Sequence, residues 1–203
     1  MKRCLLLIIP VLACAGLSRA DTQAFENDYE GFVDAAGPLS MIDFNTLPNG
    51  NPSAGGEEIT EDFNYDDHGV HFSAPFPYPF IGGNGPHDLR VFVNDFDTWI
   101  IAEPVVPAFA VGGFYPGTTE LCAFDEMGAL VACVSYSEGG TGNFVGIVSD
   151  TPIYSATFSS GNNAEAIESF AFSPVPEPGT LVLLACGGLL AIRRKRRRVD
   201  LMT

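Results

Sequence analysis

Three short stretches of this 203-residue chain carry side chains whose types and spacing could do chemistry. In Val93–Trp99, Asn94, Asp95 and Asp97 place three oxygen-bearing side chains within one expected turn. Hard oxygen donors that close together suit calcium. The run lacks the full D-x-[DN]-x-[DN]-G pattern, so solvated turn acids are the alternative. A second stretch, Asp66-Asp67-His68-Gly69-Val70-His71, holds metal-ligand types, but in a strand His68 and His71 point to opposite faces and cannot share an ion without a turn, and a turn leading into a strand is the alternative. The third is Ala74–Gly85, where Phe76, Tyr78 and Phe80 alternate with Pro77 and Pro79. A stiff extended segment of this kind can present aromatic rings for stacking on sugar C–H surfaces, with Asn84 and Asp88 to fix hydroxyls. The competing reading folds the same rings over the domain edge as a satellite core.

Catalytic signatures are missing. The chain has no G-x-S-x-G, H-E-x-x-H, P-loop or dinucleotide fingerprint, and no CxxC or His-rich tract for zinc. With 25 acidic residues some pair of carboxylates always looks catalytic, so pairing alone argues nothing. The expectation is a non-enzymatic protein that requires no cofactor, with calcium on Asn94, Asp95 and Asp97 as an optional ion. A secreted polysaccharide-active hydrolase is the alternative, and a membrane-anchored module that binds another protein is a third.

Charge narrows the partners. Of ten Lys and Arg, Lys2, Arg3 and Arg19 lie at the front and Arg193–Arg198 at the back, leaving Arg90 alone between Asp21 and Pro178. Against it stand 24 of the 25 acids, once Asp200 is set aside, for a formal charge of −23. Nucleic-acid binders need Lys and Arg to displace counterions from phosphates, so DNA and RNA are excluded. Cations, hydrated polysaccharide and simple solubility all fit such a surface.

The elements that must position these residues read as strands. Runs rich in Val, Ile, Phe, Tyr and Thr occupy residues 39–44, 68–73, 89–93, 98–102, 108–114, 119–124, 130–136, 144–148, 153–158 and 167–172, separated by Gly, Pro, Asn and Asp. In Ile167–Phe172, Phe170 and Phe172 share one face and are expected to point inward, and Trp99 reads as core. Helical periodicity is nearly absent. The prediction is an all-β fold, an antiparallel β-sandwich of jelly-roll-like form over 39–173. Residues 21–38 read as a loose acidic lead-in and 45–62 as a long polar loop. A turn at Met127-Gly128 would set residues whose numbers total 255 opposite each other, bringing Cys122 to Cys133 within disulfide range. Two buried thiols are the alternative, less suited to an oxidising compartment.

Both ends look like addresses. Residues 1–20 have a basic front, an apolar run from Cys4 to Leu17 and small residues at Ser18 and Ala20, the layout of a signal peptide cut after Ala20. Val11-Leu12-Ala13-Cys14 fits a lipobox only loosely, because leucine stands directly before the small residue. At the other end, residues 174–198 run through Val175-Pro176-Glu177-Pro178, then fourteen uncharged residues from Gly179 to Ile192, then Arg193-Arg194-Lys195-Arg196-Arg197-Arg198. Fourteen residues make about 21 Å of helix, short for a bilayer core of about 30 Å. Six adjacent cations cannot flank a core helix, but they suit a cytoplasmic stop after a single transmembrane helix, with arginines snorkelling.

This three-part order resembles the PEP-CTERM sorting-signal proteins. The resemblance implies that an exosortase, a membrane-embedded cysteine peptidase, reads the tail and removes it near Pro176–Pro178. It also implies transport across the cytoplasmic membrane, transient anchoring there and a destination in the cell envelope or biofilm matrix of an exopolysaccharide-making bacterium. The terminal residues 199–203 are an addition to the pattern, and they would lie in the cytoplasm. Ile42–Gly50, Gly69–Phe72 and Asn143–Phe172 resemble jelly-roll, carbohydrate-binding-module-like domains found ahead of such tails, with exopolysaccharide or cell-surface components as partners.

Overall fold

The computed structural model describes residues 21–75, 78–82, 87–92, 99–137, 142–160 and 164–174. The expected signal peptide, Phe76, Asn84, the calcium candidates Asn94, Asp95 and Asp97, and the sorting residues Val175–Pro178 and Arg193–Arg198 lie outside the described residues. So does the transmembrane helix expected over 179–192. Among the described residues, no helix is long and apolar enough to cross a membrane.

The body is an antiparallel sandwich. In chain order it runs β1 (Thr22–Glu26), α1 (Tyr29–Ala36), β2 (Ser40–Ile42), β3 (Val70–Ser73), β4 (Phe80–Ile81), β5 (Leu89–Phe92), β6 (Ile100–Pro104) and β7 (Ala108–Tyr115). It continues with β8 (Thr119–Phe124), β9 (Leu130–Tyr136), β10 (Asn143–Ile153), β11 (Ser155–Ser159), β12 (Ala164–Ile167) and β13 (Ser169–Pro174). One five-stranded sheet has the order β1-β10-β7-β13-β2, the facing sheet β3-β6-β11-β8-β9, and a three-stranded sheet β12-β5-β4. Val111, Val145, Ile147, Phe170 and Phe172 of the first sheet meet Phe72, Ile100, Leu121 and Phe158 of the second in one continuous buried cluster. Strand alternation explains the pattern, since Val145 and Ile147 face this core while Phe144, of opposite parity, faces the other way.

That opposite face is covered, which corrects the reading of residues 21–38 as a loose lead-in. Thr22–Glu26 pairs residue for residue with Ser149–Val145 as the edge strand β1. The chain then turns into α1, where Asp28 caps the helix by accepting the Gly31 N–H at 2.9 Å. Phe32 is fully buried in a second cluster with Ala110, Phe144 and Ala171. Tyr29, Phe32, Val33 and Ala36 form the apolar stripe of a two-turn helix, too short to stand out among five acids. The floor beneath the rings is glycine. Gly112 and Gly146 are directly opposed on β7 and β10, and a Cβ on Gly146 would stand 2.6 Å from Cδ2 of Phe32.

Other boundaries moved for identifiable reasons. The expected strand 167–172 is two strands, broken at Glu168, whose N–H donates to Phe114 O at 2.7 Å. The break changes parity, so Ile167, Phe170 and Phe172 all reach the core. His68 lies in a single 3-10 turn, Asp66–His68, ahead of β3 rather than in the strand. Ile153 ends β10 instead of starting β11, and Tyr154 alone links the two. Trp99 is half-buried just before β6.

Candidate functional site

The sugar-binding candidates fall on the three-stranded sheet, and its register shows how. Ile81 and Ile167 both pair with Leu89, a row of three fully buried side chains turned toward the core. One residue along, Phe80 and Ala166 both pair with Arg90, and period-2 alternation puts that row on the outer face. The Gly82 N–H donates to Asp88 O at 2.6 Å, which extends the pairing by one more step.

Asp88 and Arg90, two apart on one strand, share this face and grip each other. The guanidinium donates through Nε to Oδ1 of Asp88, and through Nη2 to Oδ2 at 2.7 Å. Paired, charge-assisted bonds of this kind are the strong and geometrically specific ones. Only 5 % of the Asp88 side chain is exposed, against 37 % for Arg90, so the pair presents arginine outward over a buried carboxylate. A Cβ on Gly82 would collide with both groups, which is why the facing strand has no side chain there. The hydrogen bond to Asp88 holds the Arg90 cation above its ordinary pKa. Burial, then the negative charge of Asp88, pushes the Glu168 carboxyl up, while Arg90 pulls it back. Phe80 is half-buried on the same face, and Tyr78 is 55 % exposed two residues earlier.

The structure thus brings Tyr78, Phe80 and Asp88 to one sheet and adds Arg90 and Glu168. Asp88, expected to meet ligand hydroxyls directly, is committed to Arg90, and the guanidinium takes the outward position. Asp-x-Arg spacing was the available signal, because residues two apart on a strand share a face. The arrangement offers an aromatic surface, a fixed set of guanidinium donors and a carboxylate acceptor within one small sheet.

Glu165, on the inward face of β12, is a group that sequence reasoning missed. It is 3 % exposed, Oε1 accepts the Ala166 N–H at 3.0 Å, and Oε2 is buried without a hydrogen-bond partner. Burial pushes its pKa up to about 7, against partial relief from the Ala166 N–H and the Thr119 and Ser160 hydroxyls. Its parity with Ile167 was the only hint.

The other candidates among the described residues are held in local contacts. His71 Nδ1 lies 3.1 Å from Asp66 Oδ1, while His68 Nε2 contacts Pro48 O at 3.2 Å, so the two histidines do not converge. Nearby, Asn64 bonds both the N–H and C=O of Phe72, at 2.8 and 2.7 Å, and covers part of the exposed edge of β3. Cys122 and Cys133 are directly opposed on β8 and β9 and joined in a disulfide. Pairs from Thr119↔Tyr136 to Ala123↔Ala132 keep the predicted register. The turn itself is longer than two residues, since Asp125 Oδ1 accepts the Met127 and Ala129 N–H groups at 2.9 and 2.8 Å. Glu120 lies beside the bridge, but sulfurs bonded to each other offer no thiolate to a metal.

No curated protein matches the sequence. Among the solved structures that align, the following three have TM-scores below 0.5. A mutant of a family 29 carbohydrate-binding module reaches 0.37 at 10 % identity, over 66 % of this chain and 91 % of that one. A mutant lectin-binding domain of lectinolysin, complexed with Lewis b, reaches 0.33 at 10 %, over 70 % and 95 %. The enzymatically active domain of tailspike protein 4 from Bacteriophage CBA120 reaches 0.30 at 15 %, over 53 % and 19 %. The C-terminal comparison is of another kind, since residues 174–198 match the PEP-CTERM protein-sorting motif. The chain is therefore a β-sandwich body joined to a PEP-CTERM sorting signal, which marks it for export to the cell envelope or beyond.

Proposed function

We propose that the tail tethers the protein transiently to the cytoplasmic membrane, that an exosortase cuts it near Pro176–Pro178, and that the released sandwich serves as a non-enzymatic glycan-binding component of the envelope or biofilm matrix. The junction between body and signal carries this reading. β13 is bonded on both sides, to β7 and β2, and it ends at Pro174, where the matched motif begins. A strand in mid-sheet cannot enter a peptidase cleft, so cleavage falls beyond Pro174, and in the sequence Val175-Pro176-Glu177-Pro178 follows directly. Pro176 and Pro178 also keep helix out of that segment.

Glycan contact is assigned to the β4–β5–β12 face, with Tyr78 and Phe80 for stacking and Arg90, positioned by Asp88, for hydroxyls. The formal charge of −23 between Asp21 and Pro178 disfavours polyanionic glycans, so the expected ligands are neutral and hydroxyl-rich. A cofactor has no part in this reading. Calcium on Asn94, Asp95 and Asp97 stays an optional ion, and loss of glycan binding on chelation would give it a larger role.

Intact mass of the protein from its native host, with cell-bound and medium fractions kept apart, tests the sorting. A chain from Asp21 to near Pro176–Pro178 is expected, and one that retains Arg193–Thr203 in both fractions refutes cleavage. Saturable binding of the body to a neutral exopolysaccharide without release of reducing ends is expected from the same preparation. Release of reducing sugar would move the assignment to a hydrolase, and no binding to any glycan would move it to a protein-binding module.

A further inference from the structure

The end of the sandwich from which the sorting tail departs carries a cluster of exposed apolar side chains. Pro174 and Ile153 both pair with Ala108, which sets the last residues of β13 and β10 beside the first of β7. Residues 105–107 connect β6 to β7 at that end. Tyr154 connects β10 to β11 there, its N–H donating to Phe124 O at 2.9 Å, and Phe124 pairs with Leu130 across the β8–β9 turn. Seven large apolar side chains are exposed among the described residues. Five of them, Val105, Val106, Met127, Leu130 and Tyr154, belong to these three connections or their immediate flank. Met127 is 89 % exposed at the turn tip. Apolar side chains gathered on separate loops at one end of a domain mark a contact surface rather than scattered exposure.

What covers them follows from the chain beyond Pro174, given the tethered state proposed above. The five residue steps from Pro174 to Gly179, where the uncharged run begins, span at most ~17 Å when fully extended. A headgroup layer is about 5–8 Å thick. We infer that, until the tail is cut, this end of the sandwich rests on the bilayer with Val105, Val106, Met127, Leu130 and Tyr154 in the headgroup layer. Glu103, Glu126 and Asp150 lie at or beside the same end, so zwitterionic lipid is the expected surface and anionic lipid is disfavoured. The loops provide the contact and the tail provides the anchor, so cleavage releases both together.

The test uses the full chain in phosphatidylcholine vesicles with brominated acyl chains. A tryptophan reporter is introduced as Met127→Trp in a Trp99→Phe background, with Tyr78→Trp in the same background as the control. Met127 and Tyr78 are exposed, and Trp99→Phe keeps an aromatic ring at the half-buried position 99. The expected result is that both chains float with the vesicles, that M127W emission is blue-shifted and quenched by bromine, and that Y78W emission stays as in water. Added phosphatidylglycerol should weaken the M127W quenching. A chain that fails to float overturns the tether and this inference with it. A floating chain with unquenched M127W overturns the inference alone. Shielding of M127W that needs a co-reconstituted membrane peptidase would show a protein contact and overturn the lipid assignment.

Discussion

Glu165→Gln should stabilise the protein at neutral pH and leave it unchanged near pH 4.5. The folded Glu165 carboxyl has its pKa pushed from 4.5 to about 7 by burial, so between those values the folded state holds a proton that the unfolded state has lost. Stability therefore falls as pH rises through this window and levels off above it. A difference of two to three pKa units at 1.36 kcal/mol each amounts to about 3 kcal/mol by pH 8. For a domain of this size that is a thermal-midpoint difference of roughly 6–12 °C. Glutamine keeps the Ala166 N–H acceptor and puts an uncharged amide where the buried carboxylate stands. Paired urea or thermal melts of wild type and E165Q, from pH 4.5 to pH 8, measure the effect. The other acids repel one another equally in both proteins, so the difference between the two curves isolates Glu165. Parallel curves would refute the buried carboxyl.

Removing the Cys122–Cys133 bridge, by reduction or by C122A/C133A, should lower stability by about 3 kcal/mol, the loop-closure figure for an 11-residue separation. Reduction should add 2 Da to the intact mass, and an unchanged mass would mean that the thiols were never joined. Gly146→Ala places a methyl group 2.6 Å from Phe32. It should cost about 1–3 kcal/mol by forcing the aromatic cluster under α1 apart; a urea midpoint equal to wild type would show that α1 is not held there. Arg90→Leu leaves the buried Asp88 carboxylate uncompensated and should cost about 3 kcal/mol. Asp88→Asn in the same background should recover much of that loss if the charge is its cause, and denaturant melts of the single and double variants decide it.

The parts of this molecule that were legible in its sequence are those that a local pattern fixes. The sorting signal is linear, so Pro176-Glu177-Pro178, the uncharged run and the basic cluster could be read without a fold. The Cys122–Cys133 pairing needed only a hairpin and its register, and the strand cores needed only alternation and β-branched residues. Alternation misleads where a strand has no wet face. Phe144 and Ala171 lie on the face that alternation assigns to solvent, and α1 covers that face using residues that look, among their acids, like a solvated leader. Glu165 escaped in the same way, because an acid in a strand is assigned outward unless its partner row is known, and Leu89 defines that row only once β5 and β12 are aligned; Asp88 does lie on the outward face, but it is buried there by Arg90. The apolar end is the furthest case. Val105, Met127 and Tyr154 are far apart along the chain, and each alone would be an unremarkable exposed side chain. What gathers them is the shared direction of strands β6, β8 and β10, and what gives the cluster meaning is that β13 ends beside it at Pro174. No window of the sequence contains both facts, so the inference needs the topology first.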